Sequence, residues 1–379
     1  MMTYNFDTPI ERRGTGSSKW SKYSADVLPM WVADMDFAAA PEIIEAIVER
    51  LEHPILGYGV ARDQLRAQIV ADLARIYQWI IQPEDIVFLP GVEPGFNMAI
   101  KAMLEPGDTL AIQSPIYRPI LKAPDHWNLR RIDINASDLS KDDLQKLAAS
   151  RAFLLCNPHN PTGKVYTPEE LHDIAAATEG RVIISDEIHC DLLFDSNVHT
   201  PIASLSSDVA WRTITLMSAA KTYNIPGLKT AFAIIQNPEI RDRFAASRLG
   251  MVDSVNVLGL EATLAAFSRA ESWKRDLLDY LQANRDYLVD TISARFPSIK
   301  MKKPQATFLA WLDCSELNLP DPQQFFLDNA KVGLSAGHEF GEVYSKYVRL
   351  NFGCSRATLI EGLDRMEAAI ASRLLEGTR

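Results

Sequence analysis

Cysteine is scarce in this 379-residue chain: four residues, Cys156, Cys190, Cys314 and Cys354, stand far apart. No C-x-x-C step and no Cys/His spacing frames a zinc site, so no metal is expected and the thiols read as core residues of a reducing compartment. Basic charge is also short, with 39 Lys and Arg against 49 Asp and Glu, a net charge of −10 and a pI near 5.3. That balance excludes an extended nucleic-acid surface, which needs clustered cations. Arg130-Arg131 and Lys302-Lys303 read as solvated faces. No apolar run approaches the roughly 18 residues that a membrane span requires. The opening MMTYNFDTPIERR carries acids and has no apolar stretch of the signal-peptide kind. A cytoplasmic protein with no membrane contact is the expectation. Internal repeats and low-complexity linkers are missing as well.

What remains is an ordinary globular composition, 47% hydrophobic and 23% charged, in a chain long enough for two domains. Pro41 to about His53 and residues 62–79 carry apolar side chains at helical spacing. Short apolar runs then follow: IVFL (86–89), TLAIQ (109–113), LRRIDI (129–134), AFLLC (152–156), VIISD (182–186), TITLMS (213–218) and AFAII (231–235). Helical patterns fall between many of them, near 94–104, 140–149, 168–179 and 239–249. Short apolar strands alternating with helices predict an α/β fold with a mainly parallel, seven-stranded sheet sandwiched by helices. After about residue 270 the pattern changes to a long helix (271–295), strands in ATFLAWLD (306–313) and KYVRLNF (346–352), a helix near 321–331 and a closing helix over about 357–375. A smaller α+β domain built from both termini is expected, residues 1–47 with 284–379, beside a large domain over 48–283.

Parallel sheets bind ligands beyond the carboxyl ends of their strands, and several polar groups stand there. Asp186 ends the apolar strand VIIS, where a carboxylate is costly without a cationic or hydrogen-bonding partner. A helix cap or local ion pair accounts for it equally. Lys221 follows TITLMS in a small-residue setting that lowers an amine's pKa and suits imine formation, although a surface lysine opening a helix reads the same. NPHNPTG (157–163) after AFLLC makes a rigid turn that aims side-chain amides one way. LPGVEPG (89–95) passes from a strand through Gly91 into a helix whose free amides suit a phosphate.

The ordered set GVEPG, SPIY, NPHNPTG, SDEIH and SAAK-x7-K resembles the fold-type-I pyridoxal-phosphate enzymes, the aspartate aminotransferase superfamily, over essentially the whole chain. PMWVADMDF (29–37), LGYG (56–59), SDEIHCDL (185–192) and YVRLNFGCSR (347–356) are similar to the MalY/PatB-type C–S lyases, or cystathionine β-lyases. The resemblance implies pyridoxal 5'-phosphate, a small amino-acid substrate and a homodimer with active sites shared at the interface. It implies Lys221 as the Schiff-base lysine and Asp186 as partner of the pyridine nitrogen. Asn160 and His189 fall to the phenolic oxygen and Tyr117 to the ring face. Val92, Glu93, Ser218 and Lys229 fall to the phosphate, with Tyr58 reaching the neighbouring subunit's phosphate. Arg349 falls to the substrate α-carboxylate, with Ala33, Asn160 and Tyr117 closing the same site. Lys229 replaces the usual arginine, and Glu93 brings a carboxylate beside the phosphate loop.

The implied reaction is α,β-elimination of L-cystathionine or a related cysteine S-conjugate; aminotransfer on the same scaffold is the alternative, since Lys221, Asp186 and Arg349 serve both. A non-catalytic regulatory protein is a third reading, disfavoured by the joint retention of Lys221, Asp186 and Asn160. Tyr4, Trp31, Phe37, Tyr223 and Trp311 read as core aromatics before pocket residues, and Arg356 as a helix cap before a distal-carboxylate ligand.

Overall fold

The computed structural model describes residues 4–376. The apolar runs form seven strands: β1 (Ile86–Leu89), β2 (Thr109–Ser114), β3 (Arg130–Asn135), β4 (Ala152–Cys156), β5 (Val182–Asp186), β6 (Thr213–Met217) and β7 (Ala231–Ile234). They lie in one sheet in the order β1-β7-β6-β5-β4-β2-β3. Neighbours from β6 to β3 are parallel, and β7 runs antiparallel to both β6 and β1. The sheet is therefore mainly parallel, as expected.

Every residue of β4, β6 and β7 is buried, which is why these strands are apolar throughout instead of alternating. Leu154, Ile184, Ile214 and Leu216 pack on one face with Phe96 of helix Val92–Met103 and Ile120 of helix Arg118–His126. Phe153, Leu155 and Ile183 face the other side, against Leu171 and Ile174 of helix Pro168–Ala177. Gly95 explains how close the first of these helices lies: a Cβ there would stand 2.9 Å from Leu89 and from Leu216.

A second, antiparallel sheet holds β8 (Lys300–Met301), β9 (Leu309–Asp313), β10 (Ser335–Ala336) and β11 (Tyr347–Asn351), in the order β10-β11-β9-β8. Leu28–Pro29 pairs in parallel with Val332–Gly333, so the N-terminal stretch packs on this body. Helix Glu271–Arg295 runs unbroken between the two bodies, and Arg356–Glu376 closes the fold.

Two helices escaped the sequence pattern, and one expected helix is irregular. Helix Arg118–His126 carries Pro124 inside and a proline in its first turn, which hid its periodicity. Helix Val257–Arg269 buries seven residues, among them Gly259, Ala262, Ala265 and Ala266, and shows no clean polar face to read. The helix expected near 321–331 is a short α turn, Pro322–Phe325, followed by a π turn to Ala330. Among the described residues no helix is long and apolar enough to cross a membrane.

Candidate active site

The strand register assembles the site. Cys156 of β4 stands opposite Asp186 of β5, and Asp186 opposite Leu216 of β6, so three adjacent parallel strands end at one level. Beyond those ends lie the 157–163 turn, Asp186 itself and the 218–221 segment, around a cavity of about 930 Å³. Lys221, Asp186, Asn160, His189, Tyr117, Val92, Glu93, Ser218, Lys229, Arg349 and Ala33 all line it. Tyr58 does not: it is 97% exposed on the irregular stretch 54–62 and is not among the residues lining its own chain's cavity.

Asp186 is buried, with the Ile188 amide donating to its Oδ1 at 3.2 Å. Burial pushes its carboxyl up to about 7, against the opposing pull of that amide and of Lys221. Lys221 Nζ donates to the Ala33 carbonyl at 2.6 Å. Burial first, then repulsion from Arg349, brings its amine down to about 8. An appreciable share of the amine is neutral near pH 7, as a nucleophile or base requires. Asn224 holds the Met30–Phe37 segment over this lysine: its Oδ1 accepts from the Met35 amide at 2.9 Å, and its Nδ2 donates to the Met35 and Phe37 carbonyls at 2.9 and 2.8 Å.

Arg349 on β11 reaches the cavity from the small sheet. Its guanidinium is buried and donates to Asn160 Oδ1 at 2.9 Å, to the Trp31 carbonyl at 2.8 Å and to Ser335 Oγ at 3.3 Å. Phe340 lies 4.9 Å from it, ring to cation, and the Arg349 Nε has no hydrogen-bond partner among the described residues. All these partners are neutral. Burial accordingly lowers the guanidinium to about 10, and a buried cation so placed favours an incoming anion. His189, also buried, has an Nδ1 with no partner among the described residues; burial, then Lys221 and Arg349, keep its ring neutral.

At the opposite side, helix Val92–Met103 begins at Gly91 with no side chain capping its amides, so its first-turn N–H groups remain free for an anion. Lys229 stands nearby in a left-handed conformation, φ +48°. Ser218 is committed in this structure: its hydroxyl donates to the Thr230 carbonyl at 2.6 Å and accepts from the Ala220 amide at 3.0 Å. The hydroxyl would have to turn to meet a phosphate. Glu93 is exposed and directed toward Tyr117; burial, and next Glu93, raise that phenol to about 12.

Ser335, Phe340 and the Trp31 carbonyl hold the arginine and were not identified from the sequence; a lone serine and a backbone oxygen carry no motif. Of the five aromatics, Trp31 lines the cavity. Phe37 and Tyr223 are core residues, Tyr4 hydrogen-bonds Glu42, and Trp311 stacks on Tyr347. Arg356 opens the last helix, bonded to Asn284 and stacked on Tyr287, outside the cavity.

A family model described as aminotransferase class I and II matches residues 25–366. Cystathionine beta-lyase PatB of Bacillus subtilis is 38% identical, over 97% of this chain and all of its own length. The crystal structure of OvoB is 41% identical with a TM-score of 0.92, covering 97% of this chain and all of that one. A PLP-bound C–S lyase from Staphylococcus hominis is 30% identical with a TM-score of 0.91, covering 97% of this chain and 98% of its own.

Proposed function

The chain belongs to the aminotransferase class I and II family, and from that premise we propose that it is a pyridoxal-phosphate-dependent carbon–sulfur β-lyase. It would split L-cystathionine or a related cysteine S-conjugate into a thiol, pyruvate and ammonia. One observation carries the cofactor: a depressed amine, a buried carboxylate and a buried cation bonded only to neutral groups among the described residues, Lys221, Asp186 and Arg349, line one cavity. The lyase half is supported by the likeness to PatB and to the S. hominis C–S lyase.

The donor set fits pyridoxal phosphate group by group. Lys221 suits its aldehyde, and Asp186 suits a protonated pyridine nitrogen, the cation that this carboxylate lacks. The uncapped helix start at Val92 and Glu93, with Lys229 and a turned Ser218, suits the phosphate. Asn160, whose Oδ1 is taken by Arg349, keeps its NH2 for the phenolic oxygen, beside neutral His189. Tyr117 suits the ring face. When bound, the cofactor supplies the sink for the electrons left at the substrate's Cα.

The chain's own residues supply position and protons. Arg349 holds the α-carboxylate through a bidentate pair, with the backbone at Ala33 on the same side. Lys221, once free, takes the Cα proton. Asp186 keeps the proton on the ring nitrogen. Release of the thiolate from Cβ makes the enzyme a lyase, whereas amino transfer to a keto acid needs no leaving group. The test is incubation with L-cystathionine and no keto acid: pyruvate and thiol are expected, and amino transfer without either product would overturn the proposal.

Arg349→Lys is expected to raise KM for the amino acid by about 10- to 100-fold with a smaller change in kcat, because a point charge replaces a two-pronged donor. Steady-state pyruvate release measures it, and an unchanged KM would assign the carboxylate elsewhere. We further propose a homodimer. Ile55, Leu56 and Val60 are 67, 57 and 88% exposed around Tyr58, an apolar stretch suited to a subunit contact that delivers Tyr58 to the partner's phosphate. Four free, buried cysteines support a cytoplasmic setting.

A further inference from the structure

Two charged residues of the cavity have no part in that scheme. Arg118 and Glu339 line it together, Nη1 to Oε1 at 3.5 Å, with side chains 64 and 34% exposed. Each follows or precedes an inner-wall residue by one position: Arg118 comes after Tyr117, and Glu339 comes before Phe340, which covers Arg349. They therefore stand at the rim, one from each body. Arg118 is the first residue of helix Arg118–His126, where a cation opposes the helix dipole and no acidic residue shares the first turn. Local stability does not account for it. The ion pair is long and wet, so little is lost when it opens. Glu339 is also close enough to support the charge on Arg349.

Resting on the lyase reading, we propose that Arg118 and Glu339 form the subsite for the distal end of the substrate and select thioethers that end in an amino-acid zwitterion. Arg118 takes the distal carboxylate and Glu339 the distal ammonium. A zwitterion exchanges one loose pair for two, whereas an S-alkyl group leaves the pair closed and gains nothing. A substrate with a distal carboxylate alone gains Arg118 but meets the Glu339 charge.

The test uses the holoenzyme and pyruvate release from L-cystathionine, S-carboxyethyl-L-cysteine and S-ethyl-L-cysteine. Arg118→Ala is expected to lower the kcat/KM ratio of L-cystathionine to S-ethyl-L-cysteine by about twofold to tenfold, through KM, between the worth of an exposed ion pair and that of a charge-assisted hydrogen bond. Arg118→Lys recovers part of it. Glu339→Gln is expected to lower that ratio and to raise S-carboxyethyl-L-cysteine relative to S-ethyl-L-cysteine, opposite signs that a loosened rim would not produce. Parallel shifts on all three substrates, or none, would overturn the subsite and leave the lyase reading standing. No pyruvate from any of them with wild-type enzyme would overturn the lyase reading, and the subsite with it.

Discussion

Lys221→Ala is expected to remove the visible absorbance of the cofactor-loaded protein and to cut pyruvate release from L-cystathionine by on the order of 10⁴-fold or more, since one amine serves as both anchor and base. The fold should survive. The lysine's hydrogen bond is to the Ala33 carbonyl, and burial holds its amine near 8, below its ordinary value. The folded cofactor-free protein thus binds this proton less tightly than the unfolded chain, so burying the ammonium costs stability that is lost as pH falls from about 10.5 and is fully lost below about 8. The cofactor-free alanine variant should therefore melt at or above the wild-type temperature near neutral pH. The same depressed amine predicts that cofactor capture by the wild-type apoprotein speeds up as pH rises and levels off above about 8. Absorbance titration and thermal melting read these outcomes. A variant that keeps both the absorbance and the activity would remove Lys221 from the chemistry.

Asp186→Asn should produce two opposite effects. With cofactor, activity falls by about 10²- to 10⁴-fold, because a neutral amide does not hold a proton on the ring nitrogen. Without cofactor, the variant should be the more stable protein. Burial raises the folded-state carboxyl from 3.8 to about 7, so the folded protein binds that proton more tightly than the unfolded chain. The associated stability is complete below about pH 4 and is lost as pH climbs through about 7. Asparagine does not titrate. The stability gap between variant and wild type should widen with pH over that window, by up to about 4 kcal/mol. Bound cofactor should shrink the gap by giving the carboxylate its cation. Denaturant melts at several pH values, with and without cofactor, measure it. A gap independent of pH would mean that this carboxylate has another partner.

Both residues were legible as candidates because each closes or follows an apolar run, and a buried parallel strand leaves that run unbroken until its end. The turn at 157–163 and the glycine-led helix at 92 were legible likewise, from local turn and helix-start chemistry. Helix Arg118–His126 was not, because prolines in its first turn and interior erase the period. Alone, Asp186 could have been a helix cap and Lys221 a surface amine; resemblance to a family joined them before any geometry did.

Local pattern and composition determined the strands, most of the helices, the mainly parallel sheet and the positions at which chemistry could stand. Only the tertiary structure decided which of those positions meet. Arg349 contacts Asn160 across 189 residues of chain and the Trp31 carbonyl across 318, and the rim pair joins Arg118 to Glu339. Tyr58 was expected to serve the neighbouring subunit's site, and the fold leaves it outside its own cavity. Periodicity reports what one segment buries on one face. Contacts between bodies depend on how finished elements pack, and that is recorded in no single stretch of sequence.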